Sequence, residues 1–90
     1  MFNFVTIEEE YDIIMEALEK TKTRKEYYIR VVNSLRRNGL IGDVETKEGK
    51  KSFIDFFYSK SYEKLNLKAC RGLGKTGIEI LNKAYTILES

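Results

Sequence analysis

Apolar residues recur along this chain at three- and four-residue intervals, the period of a helix with one buried face. Ile7, Tyr11, Ile14 and Leu18 form the first stripe; Tyr28, Val31, Val32 and Leu35 form the second; Ile78, Leu81, Tyr85 and Leu88 form the last. Helix-start signals precede each of them. Thr6-x-x-Glu9, Thr23-x-x-Glu26 and Thr76-x-x-Glu79 fit the capping box, in which a hydroxyl accepts from an N3 amide and the carboxylate reaches back. Ser52-x-x-Asp55 is a weaker version. The spacing predicts a first helix from about Ile7 to Lys20, whose acidic first turn suits the positive end of the helix dipole. It predicts a second helix from Arg24 to about Asn38, stopped by Gly39, and a last one from near Thr76 to about Leu88.

The segments between these helices read differently. Gly42 to Lys51 (GDVETKEGKK) is polar and contains Gly49, so residues 42–51 are expected to form a loop or a short β-hairpin. Ser52 to Tyr58 (SFIDFFY) is apolar and aromatic and reads as a short buried helix, with a strand as the alternative. Ser61 is placed to cap a further short helix through Ala69. No proline interrupts the pattern and no repeat of fixed period occurs. The expected fold is all-α: a compact bundle of four to five helices in a single domain, 1–90, in which an acidic helix (1–21) is added to a body spanning 24–90.

Composition narrows the function. With 42% hydrophobic and 33% charged residues, the 90-residue chain has the balance of a small globular protein with one modest core. No apolar run approaches the roughly 20 residues of a membrane span. The start, MFNFVTIEEE, lacks the basic and apolar stretches of a signal peptide, so a cytoplasmic protein without membrane contact is expected. Cys70 is the only cysteine and histidine is absent, which excludes an intramolecular disulfide and leaves no Cys/His metal set. No cofactor or metal is expected. The net charge of +2 is unevenly spread: residues 1–20 hold six acidic residues against Lys20, a balance of −5, and the remaining seventy sum to +7. A basic body beside an acidic helix suits nucleic-acid binding through the body, although a pI near 8.6 is by itself ordinary.

The Gly72-Leu73-Gly74 step lies between two apolar-patterned segments and leads straight into a helix start, the layout of a helix–hairpin–helix. Glycines allow positive φ and a close backbone approach. Their amides, with the first N–H groups of the next helix, suit a phosphate. Thr76 would cap that helix and Lys75 would meet the phosphate. On the second helix, 3.6-residue spacing groups Arg30, Asn33, Ser34 and Arg37 opposite the apolar stripe. Arginine is the side chain best suited to phosphates and to narrow minor grooves. The plain alternatives are a connecting turn and a solvated helix face.

Ile29 to Leu40, IRVVNSLRRNGL, resembles the first helix of the C-terminal domain of the bacterial RNA polymerase alpha subunit, which carries a pattern of the type V-R-x-x-N-x-L-x-x-x-G-I. Ser52 to Leu88 resembles the remainder of that domain, where an apolar segment leads to an L-G-K-K-S-L-type hairpin and a final helix. The resemblance covers roughly two-thirds of the chain. It implies a compact helical unit with one regular and one imperfect helix–hairpin–helix that binds the minor groove of A/T-rich DNA and touches transcription factors. By this resemblance Arg30 takes the place of the arginine that enters the groove, Asn33 that of the neighbouring asparagine, and Arg36 that of the following basic residue. Gly74 and Lys75 match the hairpin glycine and its lysine. The chain departs from the pattern at Gly72 (asparagine in the family), Thr76 (lysine), Gly77 (serine) and Ile80 (glutamate). It also carries about ten extra residues between Leu40 and Phe53. Together with the acidic first helix, these departures imply a stand-alone small regulator or phage-type protein with a related domain.

The expected function is therefore non-enzymatic DNA binding, in transcription or its regulation. Arg30 and Asn33 would reach the minor groove. Arg36, Arg37, Lys75 and the backbone at Gly72, Gly74 and Thr76 would hold phosphates. The alternative is a protein-interaction module, with the acidic helix Glu8–Glu19 taking a basic partner or covering the basic face in the free protein. A winged helix, with its wing near 42–51, would need three helices before the wing where the pattern provides two. Enzyme readings find little support. Without histidine the usual proton shuttle is missing, and capping explains Glu8, Glu9 and Glu10. Cys70 sits in an apolar stretch, and Gly72 to Thr76 lacks P-loop spacing. The six tyrosines and five phenylalanines are suited to stack on bases, but their helical spacing puts most of them in the core.

Overall fold

A computed structural model describes residues 6–21, 24–66, 68, 70 and 72–89 and turns the apolar stripes into helices. Along the chain these are α1 (Ile7–Glu19), α2 (Lys25–Arg37), α3 (Lys47–Tyr58), a 3-10 turn at Ser61–Lys64, and α4 (Gly74–Glu89). The fold is all-α, and no strand occurs among the described residues. The expectations resting on Thr23, Leu67 and Ala69 lie outside those residues.

Thr6 caps α1 as its capping box requires: its Oγ1 accepts from the Glu9 N–H at 3.1 Å. Ile14, Ala17 and Leu18 are buried. Glu10 corrects the expectation that capping explains the acidic trio, because its side chain turns inward and is only 6% exposed. The Tyr58 hydroxyl donates to the Glu10 carboxylate. Burial first, and this bond second, push the Tyr58 phenol well above its ordinary range.

Helix α2 begins one residue later than expected. Arg24 is its N-cap and supplies no side-chain capping bond. Its end follows from Gly39, which takes φ +74. The Gly39 N–H donates to the Arg36 carbonyl and the Leu40 N–H to the Leu35 carbonyl, each at 3.0 Å. That pair of bonds is the Schellman motif, and glycine fits the left-handed position because it has no Cβ.

Neither a loop nor a hairpin spans 42–51, since α3 already starts at Lys47. The Asp43 carbonyl accepts from the Thr46 N–H (2.9 Å) and the Thr46 hydroxyl (2.7 Å), and Thr46 Oγ1 accepts from the Gly49 N–H (3.0 Å). Gly49 has no Cβ where the Asp43 backbone packs against it. Ser52 is not a cap. It lies inside α3, donates to the Gly49 carbonyl at 2.7 Å and accepts from the Gly42 N–H at 2.8 Å, which ties the preceding turn to the helix. The absence of a strand here also removes the wing of the winged-helix alternative. The helix expected from Ser61 to Ala69 is one 3-10 turn ending at Lys64, with Ser61 as its first residue rather than its cap.

The core lies between the four helices and the 3-10 turn, with Tyr28, Val31, Val32 and Leu35 as the contribution of α2. Phe53, Phe57 and Tyr62 are fully buried. Phe57 lies 6.0 Å from Phe53, 6.2 Å from Tyr62 and 5.7 Å from Tyr85, ring centre to ring centre, within the range of favourable aromatic pairs. Cys70 is buried and belongs to the same core, as its apolar setting suggested. The buried face of α4 is rotated from the expected stripe: Gly77, Ile80, Leu81 and Ala84 turn inward, while Ile78, Tyr85 and Leu88 are half-buried. Helix α1 packs chiefly on α3 and α4. It leaves Arg30, Asn33 and Arg37 of α2 exposed and does not cover the basic face. Among the described residues no helix is long and apolar enough to cross a membrane.

Two outcomes follow from this core. Phe57→Ala removes the ring that joins three elements and is expected to cost about 3–5 kcal/mol in urea unfolding, most of the stability of a chain this short. Burial also pushes the Tyr62 phenol from about 10 up to about 12. The folded phenol thus holds its proton more tightly than the unfolded one. Its stabilisation is complete below about pH 10 and is lost as pH rises through about 12. Urea midpoints across this window are expected to fall with pH, and Tyr62→Phe to flatten part of that fall. The phenols of Tyr11, Tyr28 and Tyr58 are shifted the same way and contribute in the same direction.

Candidate nucleic-acid interface

The Gly72-Leu73-Gly74 step takes the conformation that its glycines permit. Gly72 has φ +87 and Gly74 φ +62, while Leu73 between them is buried. The turn sets Gly72 against α2, so that a Cβ at Gly72 would stand 3.3 Å from Ser34 Oγ. Ser34 therefore leaves the exposed polar face on which helical spacing placed it: it is buried at 3% exposure beneath the glycine. Asn38 Nδ2 donates to the Ser34 carbonyl at 2.8 Å and fixes the last turn of α2 beside it. Farther along, a Cβ at Gly77 would come within 2.7 Å of Leu73 Cδ1 and 3.3 Å of Val31 Cγ2. Glycine inside a helix usually costs about 1 kcal/mol relative to alanine. Here it lets α4 approach α2.

This close approach brings together residues far apart in the chain. Arg30, Asn33 and Arg37 line one groove with Gly72, and Ser34 and Ile29 form its inner side; the volume is about 450 Å³. Glu26 stands in the same groove and offsets one of its two arginines. A smaller cleft of about 180 Å³ adjoins it, lined by Arg30, Gly72 and Thr76 together with Tyr27, Leu73 and Ile80. Arg30 and Gly72 belong to both spaces and form the ridge between them.

The other expected site residues are distributed differently. Arg36 lines a further cleft with Asp43 and Glu45, which neither Arg30 nor Gly72 lines and which adjoins the groove through Asn33, a residue of both. Gly74 opens α4 and Lys75 is exposed in its first turn, and neither lines the two grooves at Arg30. Thr76 is not the cap. The helix starts at Gly74, the Gly77 N–H closes the first turn on the Leu73 carbonyl at 3.1 Å, and Thr76 is exposed within that turn. By helix geometry the amides of Gly74, Lys75 and Thr76 precede the first intrahelical bond and point away from the helix body.

Sequence reasoning missed Tyr27, Glu26 and Gly77. Gly77 carried a signal, since glycine inside a helical pattern marks a close approach. Tyr27 had none, because its neighbour Tyr28 satisfies the apolar stripe and the two are equivalent by composition.

No family model matches this chain, and no match was found among curated proteins or solved structures. A functional assignment thus rests on the residues themselves.

The turn is directly testable. Gly72→Ala places a side chain in the left-handed region and against Ser34, and is expected to lower the unfolding free energy by roughly 1–2 kcal/mol. Urea unfolding checks the magnitude, and an unchanged midpoint would contradict the geometry at Ser34.

Proposed function

We propose that this protein binds DNA through the groove between α2 and the Gly72 turn and makes or breaks no bond. The observation that carries this reading is the convergence of Arg30, Asn33, Arg37 and Gly72 on one groove, from two segments well separated in sequence. Arg30 and Arg37 supply guanidinium forks suited to phosphate oxygens. Asn33 adds an amide able to donate and accept at a base edge. The +7 balance of residues 21–90 adds a long-range attraction for a polyanion. Lys75 and the first-turn amides of α4 offer further phosphate contacts. The likeness of residues 29–88 to the polymerase alpha-subunit domain supports a helix–hairpin–helix that approaches the minor groove of A/T-rich DNA, in transcription or its regulation. Arg36 stands at the border of this surface, where two carboxylates, Asp43 and Glu45, outweigh its single charge on the far side of Asn33.

A second reading rests on the outer face of α1. Ile13 is 37% exposed there, Glu9 and Glu16 flank it at helical spacing, and the exposed Asp12 adjoins it in sequence. Such a face suits a basic protein partner, and that role would be indifferent to Arg30.

Binding to an A/T-rich duplex at two salt concentrations separates the two. The wild type is expected to weaken with salt, with a log–log slope of about −0.9 per phosphate neutralised. Arg30→Ala is expected to lose about 1–3 kcal/mol of binding, while Arg36→Ala stays near wild type. Absence of binding at low salt would overturn the DNA reading. Equal losses for Arg30→Ala and Arg36→Ala would overturn the placement of the site.

A further inference from the structure

The 180 Å³ cleft beside Arg30 is smaller than the groove it adjoins and has buried side chains beneath it. Its floor is apolar: Val31, Leu73 and Ile80 are all buried side chains. Among the described residues, Arg30, Thr76 and Tyr27 bring polar side-chain groups to its lining. Gly72 and Gly77 line it as well, and the missing Cβ at Gly77 is what lets Leu73 and Val31 close up beneath it. Its volume is below the roughly 300–1,000 Å³ of pockets that enclose a whole drug-sized ligand, and it suits a single flat ring system.

Tyr27 stands at the mouth of this cleft. It is 46% exposed, one of two large apolar side chains exposed among the described residues. The other aromatic rings of α3, the 3-10 turn and α4 pack on one another, whereas Tyr27 makes no ring contact with another described residue. It precedes Arg30 by three residues and so shares its helix face. An exposed phenol ring beside a guanidinium, over an apolar floor, is the combination that holds a nucleobase taken out of its stack.

We propose that this cleft takes one unpaired nucleobase of a DNA strand whose phosphate is held by Arg30 in the neighbouring groove. Tyr27 stacks on the base, and the Thr76 hydroxyl bonds to its edge. The inference rests on the DNA-binding reading and specifies its preferred partner: DNA carrying a locally unstacked base, in place of a continuous duplex. The apolar floor favours the face of a base over bulk water, and the position of Arg30 between the two spaces links base and phosphate in one strand.

The test compares three DNAs of the same flanking sequence: a continuous duplex, the duplex with one bulged base, and the duplex with an abasic bulge. Wild type is expected to bind the bulged base roughly five- to a hundredfold tighter than either of the others, the range set by stacking one base on an aromatic ring. Tyr27→Phe keeps this advantage and Tyr27→Ala removes it, while both retain the affinity of wild type for the continuous duplex. Unchanged circular dichroism and urea midpoints verify that these surface variants fold. If wild type binds the duplex but gains nothing from the bulged base, or if Tyr27→Ala keeps the gain, the base site is overturned and DNA binding stands. If it binds none of the three, both readings fall. Binding of a free deoxynucleoside monophosphate as tight as that of the bulged DNA would make this a nucleotide pocket and overturn the strand assignment.

Discussion

The packing of Phe57 is the constraint on which the rest of the molecule depends. A chain of 90 residues has room for one core, and that core is built outward from this fully buried ring. Phe53 joins it from the preceding turn of α3, and Tyr11 extends the contact to α1 by meeting Phe53 edge-on at 5.6 Å. Tyr62 and Tyr85 bring in the 3-10 turn and α4. The chain between Phe57 and Tyr62 must reverse sharply for both rings to meet. Lys60 provides the reversal by taking φ +56, a strained position for a residue with a Cβ. Its ammonium then lies 4.5 Å over the Tyr85 ring, a cation–π contact that offsets part of the strain.

The candidate interface lies where the Gly72 turn and α4 meet α2, and it depends on small residues where the aromatic part of the core depends on large ones. Gly72, Ser34 and Gly77 let the turn and the start of α4 settle onto α2. A larger side chain at any of the three would push the elements apart, and Arg30 would then border a wider and shallower surface. The hydrophobic floor of the smaller cleft is the same packing seen from outside, since Val31, Leu73 and Ile80 are buried residues of the contact. The surface thus takes its shape from the helix–helix contact beneath it.

Charge is distributed to match. The acidic residues of α1 other than Glu10 stay on its outer face, and Arg30 and Arg37 occupy a groove on α2 that α1 leaves open. Within the groove Glu26 tempers the positive field of the two arginines. Arg36 differs from Arg37 by one position, yet 100° of helix rotation moves it to the acidic turn at Asp43 and Glu45.

The all-α character, three of the four helices, the stop at Gly39 and the positive φ of Gly72 and Gly74 were legible in the sequence. Each follows from interactions between residues no more than a turn or two apart, namely periodicity, capping and the missing Cβ of glycine. The start of α3 was hidden for a local reason: Thr46 has no carboxylate at its N3 position, and the charges of residues 47–51 carry no apolar stripe. The exposure of Tyr27, the burial of Ser34 and Glu10, the rotated face of α4 and the separation of Arg36 from Arg30 were decided only by tertiary structure. Helical period fixes which residues share a face, but it does not say which neighbour that face meets. Gly72 chose the partner of Ser34, and Tyr58 that of Glu10, through contacts across more than thirty positions of chain that no local pattern encodes.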